Sequence, residues 1–331
     1  MHDVRTFLSR NDKQISKSIK RFFTRFHVSS ALKASNAYKK KGVPVMEIFQ
    51  YLFLLIFSNR SMYMNLITGR NTPDFAKDTV YRFMKMIQIN WIRFTTILST
   101  RIIRDAILPL NSEDRANVLI IDDSMFERNR SKKVELLAKV YDHAKHKYRF
   151  GFRMLTLGWS DGSTFLPVNS VLLSTENRKN RINEATEVDK RTVGYKRKEY
   201  LCLISTDVNL DENEIIRIYG KRWDIDVFFK VCKSYLNLSK ECNSLSYDAM
   251  TAHTAVVFTR YMMLSLESRE SNDNRSLREL FLYFSDEMSD ITWIQAFQML
   301  LQMFRTMLLD NTELSDEKIN EIQQQKGGLS K

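Results

Sequence analysis

Cysteine, proline and glycine are all scarce in this chain, and each scarcity excludes something. Three cysteines, Cys202, Cys232 and Cys242, form no CxxC pair and no disulfide framework. That argues against structural zinc and for a reducing compartment. Nine glycines and four prolines in 331 residues leave few breaks, so helix is expected to dominate. No glycine-rich phosphate loop is present, which argues against nucleoside triphosphates as substrates. No Ser-His-Asp or Cys-His layout can be argued. The longest apolar run, Ile48 to Phe57, is too short to span a bilayer. No basic-then-apolar leader opens the sequence, so a cytoplasmic protein with no membrane partner is expected.

What is abundant is positive charge. Lys and Arg number 51 against 39 Asp and Glu, a formal net charge of +12. A balance of this size fits a polyanion, most simply nucleic acid, although a solvated basic surface would give the same count. A hydrophobic content of 44% with 11% aromatics fits a folded chain and argues against disorder. The length allows two or three domains with cores of their own.

Residues 1–105 read as a helical region. Lys13 to Phe23 mixes basic and apolar residues at helical spacing, and Pro44 fits the first turn of a helix running through Phe57. Thr72 to Phe83 reads as a turn and then a helix carrying Lys77, Thr79, Tyr81 and Arg82. It fits the reading helix of a helix-turn-helix or an ordinary helical hairpin equally well. At Val118 the pattern changes to strands. Val118 to Ile121 reads as a buried strand stopped by Asp122 and Asp123, followed by a basic connector at Arg128 to Lys133. Phe150 to Trp159 and Thr164 to Ser174 read as a second and third strand around an Asp161-Gly162 hairpin signal. Three antiparallel strands, the first bearing acids, open a ribonuclease-H-like sheet. A basic polar stretch over 176–199 and a strand from Tyr200 to Thr206 follow. A helix capped by Asp211 and Glu214 comes next. The expected division is a DNA-binding helical region at 1–105, an α/β core at 112–240 and a helical region at 241–331.

The helix after Asp211 carries Tyr219, Arg222, Asp226 and Lys233 within an arc of roughly 60° at 100° per residue. Its other sides are apolar (Ile215, Ile218, Trp223, Ile225, Val227, Phe228, Phe229), so burial all round is expected. A polar stripe on a buried helix asks for a reason, since unpaired buried charge is costly. Phosphodiester transfer supplies one. It needs charge neutralised on the attacking and leaving oxygens, commonly by two divalent ions about 4 Å apart held by carboxylates. Asp122 at a strand end and Asp226 on a helix beside it fit such a cradle, with Arg222 and Lys233 as phosphate contacts. Each has a plainer reading. Asp122 and Asp123 could form a turn, Asp226 could pair with Arg222 or Lys230, and Tyr219 could be a core tyrosine. His143 and His146, in a lysine-rich loop, are weak metal candidates.

The spacing of Tyr219, Arg222, Asp226 and Lys233 resembles the Y-x2-R-x3-E-x6-K signature of bacterial insertion-sequence transposases of the DDE superfamily, insertion sequence type four. The flanks "IYGKRWDIDVFFKVCKSYL" and "SYDAMTAHTAVVFTRYMM" are similar in style. Upstream, "VLIIDDSMFERNRSKKVELLAKVYDH" and "GFRMLTLGWSDGSTFLPV" resemble the family's first three strands. The resemblance covers residues 40–310. It implies a ribonuclease-H-like α/β core flanked by all-α N- and C-terminal regions, and an Asp-Asp-Glu triad holding two Mg²⁺ or Mn²⁺ ions. It also implies a homodimer on double-stranded DNA that cleaves terminal inverted repeats and joins them to target DNA. A protein of this kind would be cytoplasmic and nucleoid-associated when bound. Asp122, Asp123 and Asp226 are the catalytic positions so implied, with Tyr219, Arg222, Lys233, Lys77 and Arg82 toward DNA.

Two departures stand out. Asp226 replaces the signature glutamate, one methylene shorter, and a misplacement of more than ~1 Å can cost about a hundredfold in rate. Between Ser174 and Tyr200 no greasy strand ending in Asp appears, as though an internal segment of the core were deleted near Lys196-Arg197-Lys198. Asp207, at the end of the Tyr200 to Thr206 strand, is the one acid placed to substitute as a metal ligand; as a turn residue it would have a plainer role, and Asp189 carries little weight. The expected function is therefore a transposase with impaired chemistry. The alternative is an inactive DNA-binding remnant that represses transposition.

Overall fold

A computed structural model describes residues 18–57, 62–64, 73–111, 116–143, 145–175, 177, 179–184, 222–240, 242–270, 275–285 and a few positions between 297 and 301. The expected strand at Tyr200 to Thr206, the Asp211 cap, Tyr219, Asp189 and Asp207 lie outside these residues.

The N-terminal part is helical. It comprises α1 (18–25), α2 (Val28–Ala34), α3 (Val45–Leu54), α4 (Lys77–Met84) and α5 (Trp91–Ile102). Pro44 precedes α3 as its N-cap rather than sitting in its first turn, and the helix ends at Leu54, short of Phe57. Aromatic residues at helical spacing make one cluster. Phe23 lies edge-on to Phe49 and Phe53, and Phe49 to Phe94. Such pairs prefer edge-to-face geometry because the ring edge is positive and its face negative.

The sheet has four antiparallel strands: β1 (Val118–Glu127), β2 (Ala138–Asp142), β3 (Lys147–Ser160) and β4 (Phe165–Leu173). The long β3 is its spine. β1 runs along one edge of β3, from Val118 opposite Ser160 to Glu127 opposite Gly151. On the other edge, β2 pairs with the first part of β3 and β4 with the last part. A bulge at Leu157/Gly158 bends β4 against its neighbour. There the Phe165 ring fills the space of a missing side chain, so that a Cβ on Gly158 would lie 2.0 Å from it. The Asp161-Gly162 turn forms as expected. Gly162 takes a positive φ of 86°, and the Asp161 carboxylate accepts from the Ser163 and Thr164 amides.

Three expectations need correction. The β1 strand does not stop at Asp122 and Asp123 but continues to Glu127, so the acids sit mid-strand. The Val118 to Ile121 run is not buried on both faces: Leu119 is 67% and Ile121 65% exposed. Four successive apolar residues say nothing about which face lacks a cover. Finally, a strand (β2) stands between the basic connector and the expected second strand, which itself begins at Lys147.

α6 (Trp223–Ser234) and α7 (Tyr247–Glu270) lie on the face of the sheet that carries Ile120, Phe126, Met154 and Leu172. Phe228 of α6 meets Phe165 of β4 and Phe258 and Tyr261 of α7. The Tyr247 hydroxyl donates to the Leu172 carbonyl at 2.7 Å. α7 also reaches the N-terminal helices. The fully buried Arg260 donates to the Phe53 carbonyl at 3.0 Å and to that of Leu52, two of the carbonyls that the end of α3 leaves without helical partners. A last helix, α8 (277–285), brings Phe281 and Phe284 against Phe57.

Candidate active site

Strand alternation decides what β1 offers to α6. Ile120, Asp122, Ser124 and Phe126 share one face, and Asp123 points to the other. α6 lies across the first of these faces, and three polar links hold it there. The Ser160 hydroxyl donates to Asp224 Oδ2 at 2.5 Å. Arg222, at the N-cap, brings its guanidinium to 4.0 Å from Asp122 Oδ2. Lys233, in the last turn, donates from Nζ to Ser124 Oγ at 2.5 Å.

Asp122 is short of positive charge. Partial burial raises its pKa most, and the like charges of Asp226 and Asp123 raise it further. The Asp123 amide, bonded to Oδ1 at 2.8 Å, and Arg222 oppose this without overcoming it. Asp226 is thus close enough for its charge to be felt at Asp122. Asp123 is taken on the opposite face by Arg153, which also donates to the Tyr141 carbonyl at 2.8 Å.

Lys233 is mostly enclosed. Burial lowers its pKa, and the negative charges of Glu127 and Asp142 pull it back up. Glu127 is itself bound by Arg149 at 2.7 Å and Lys145 at 2.8 Å.

α6 is not buried all round. Trp223 is 73% and Val227 53% exposed, and Asp226 lies on the same open side. The polar stripe is therefore a boundary between the covered and the open faces of the helix. Arg222 and Lys233 reach β1, whereas Asp226, exposed, acts on Asp122 through its charge alone. Lys77 and Arg82 stand elsewhere, exposed on α4, where Arg82 Nε donates to the Asp78 carbonyl at 3.2 Å. His143 and His146 flank the β2–β3 turn. Among the described residues no group of three or more His, Cys, Asp or Glu is close enough to hold a metal. The pair Asp122 and Asp226 nonetheless fits a hard divalent cation in donor chemistry: two carboxylates, one of them desolvated and raised in pKa by its like-charged neighbour. Sequence reasoning missed Ser124, Asp224, Ser160 and Arg153. Nothing in their local pattern marks them, because each finds its partner only across the sheet.

Residues 51–214 match the family model of the DDE superfamily endonucleases. The match supports a DDE transposase-like nuclease with a ribonuclease-H-like fold and a nucleic-acid substrate, and nucleases of this superfamily are generally dependent on divalent metal. It includes Asp122 and Asp123 and ends before Arg222, Asp226 and Lys233. Comparison with curated proteins and with solved structures gives no match. No helix among the described residues is long and apolar enough to cross a membrane.

Proposed function

We propose that the chain is a transposase of the insertion-sequence type-four kind, acting as a homodimer on double-stranded DNA at terminal inverted repeats. One observation carries the reading. Asp122 and Asp226, remote in sequence, lie near enough for the charge of Asp226 to act on Asp122, and Arg222 and Lys233 reach β1 on either side of Asp226 along α6. Asp122 and Asp226 would hold Mg²⁺ or Mn²⁺. When bound, the ion neutralises charge on the attacking and leaving oxygens of a phosphodiester. Arg222 offers a planar fork to the adjoining phosphate, and Lys233 a point charge held in place by Ser124. Asp123 steadies the strand through Arg153 and stays outside the cradle. Tyr219 adjoins this end of the helix in sequence and would contact the DNA end. Asp207 would supply a third carboxylate in place of the family's middle acid. Lys77 and Arg82 would contact phosphates of the end sequence.

The alternative is a DNA-binding remnant that occupies the ends without cutting. The shorter Asp226 side chain, where the signature has glutamate, favours impaired chemistry.

Strand cleavage on duplex DNA carrying the sequences that flank the gene, in Mg²⁺ and in Mn²⁺, tests the proposal. Cleavage should fall about a thousandfold or more in Asp122→Asn and in Asp226→Asn, as several kcal/mol of charge stabilisation disappear. Unchanged cleavage in either variant would remove that residue from the site. Binding with no cleavage in either metal would leave the remnant reading.

A further inference from the structure

The β2–β3 hairpin carries exposed rings. Tyr141 and Tyr148 are register partners, and Lys139 is opposite Phe150, so these four residues lie on one face of the hairpin. Tyr148 is 56% and Phe150 38% exposed. Tyr141 stands edge-on to Tyr148 at 5.3 Å and to His143 at 5.1 Å, and Lys139 Nζ lies 5.3 Å from the Tyr148 ring centre. The cross-strand Tyr pair accounts for part of this as hairpin stabilisation. It does not account for Phe150, an open aromatic side chain beside a lysine.

The setting is cationic. Lys139, Lys145, Lys147 and Arg149 belong to the hairpin, against Asp142 as its acid. Lys145 and Arg149 are spent on Glu127, tying the hairpin to the end of β1. Arg153 ties it again, by joining the Tyr141 carbonyl to Asp123, the neighbour of Asp122. The aromatic face is thus held at a fixed distance from the acids. Glu127 is five residues along β1 from Asp122, about 17 Å at ~3.4 Å per residue.

Exposed rings interleaved with lysines suit a strand whose bases are unstacked. Every base has a π-face, and the lysines meet the backbone between bases. A blunt duplex offers such rings only its terminal pairs, because its other bases stack on one another. We propose that the Lys139, Tyr141, Tyr148 and Phe150 face is a stacking platform for unpaired DNA flanking the cleavage site. The proposal rests on the DNA-cleaving reading of Asp122 and Asp226 for its placement, and its test does not require cleavage.

The test uses the full chain in EDTA with two probes of the same sequence: a blunt duplex, and a duplex with an unpaired tail containing 2-aminopurine. The tailed probe should bind about tenfold more tightly, with 2-aminopurine emission quenched on binding. Tyr148→Ala with Phe150→Ala should abolish both the preference and the quenching, leaving blunt-duplex affinity unchanged. Should that double variant lose its cooperative thermal transition, Tyr148→Leu with Phe150→Leu keeps apolar bulk without the exposed π-faces and should still lose quenching. Equal affinity for the two probes, or quenching that survives Tyr148→Leu with Phe150→Leu, would overturn the platform. Quenching that persists in a chain unable to cleave in any metal would uphold the platform while the catalytic reading falls. Cleavage with a tail preference indifferent to the rings would do the reverse.

Discussion

Asp122 is where the molecule gives up stability. Its pKa is raised, first by burial and then by Asp226 and Asp123. Between the ordinary carboxylate value and the raised one, the folded state therefore binds more protons than the unfolded chain. Stability from this group is complete below that window and is lost as pH rises through it. Asp122→Asn, neutral at every pH, should accordingly raise the melting temperature at pH 7, and the gain should vanish toward the acid side of the carboxylate range. Mg²⁺ should stabilise the wild type by about 2.7 kcal/mol at a hundred times its dissociation constant, seen as a higher melting temperature, and leave Asp122→Asn unmoved. Scanning calorimetry at several pH values, with and without Mg²⁺, checks both. Asp226 makes a converse prediction. If its carboxylate stands back by one methylene, Asp226→Glu should increase cleavage by up to about a hundredfold. A rate unchanged or lower in a single-turnover assay would show that this cradle is built around the shorter acid.

At the level of elements, the β3–β4 bulge is the tightest place in the sheet. The Phe165 ring occupies the position of a Gly158 Cβ while touching Phe228 of α6, so Gly158→Ala would push the ring into the helix that carries Asp226. Overpacking of this kind costs about 1–3 kcal/mol, which urea unfolding would register as a lower midpoint with an unchanged slope. The sequence made β4, the Asp161-Gly162 turn and α7 legible, because long apolar patterns and strong turn residues speak locally. β2 was hidden: five residues beginning Ala-Lys and ending in Asp look like connector, and only pairing with β3 makes them a strand. The open faces at Leu119, Ile121, Trp223 and Val227 were hidden for a different reason. Hydrophobicity reports a preference for cover and is silent on whether cover is available. In the site, the spacing of Arg222, Asp226 and Lys233 was legible from helix geometry. Their partners were not, since Ser160 meets Asp224 across 64 residues and Ser124 meets Lys233 across 109.

For the whole molecule the governing quantity is charge. The excess of twelve positive charges is not spread evenly in effect, because many cations are already answered within the fold. Arg21 pairs with Glu267, Arg25 with Glu270, Arg181 with Glu184 and Lys145 with Glu127. Pairs of this exposed kind contribute little to stability. Lys77 and Arg82 on α4, and Lys139 on the hairpin, stand exposed, and Arg82 bonds the Asp78 carbonyl rather than a carboxylate. These are the cations expected to displace counterions from a duplex. Each phosphate neutralised contributes about −0.9 to the slope of log affinity against log salt, so six to ten contacts would weaken binding by ~10³–10⁵ between 50 and 200 mM salt. Lys77→Ala and Arg82→Ala should each reduce that slope by about one while leaving the stability of the fold unchanged. Fluorescence anisotropy with a labelled duplex across a salt series measures both quantities. A slope insensitive to either substitution would move the DNA path away from α4. A slope near zero in the wild type would mean that the positive charge serves some purpose other than gripping a phosphate backbone.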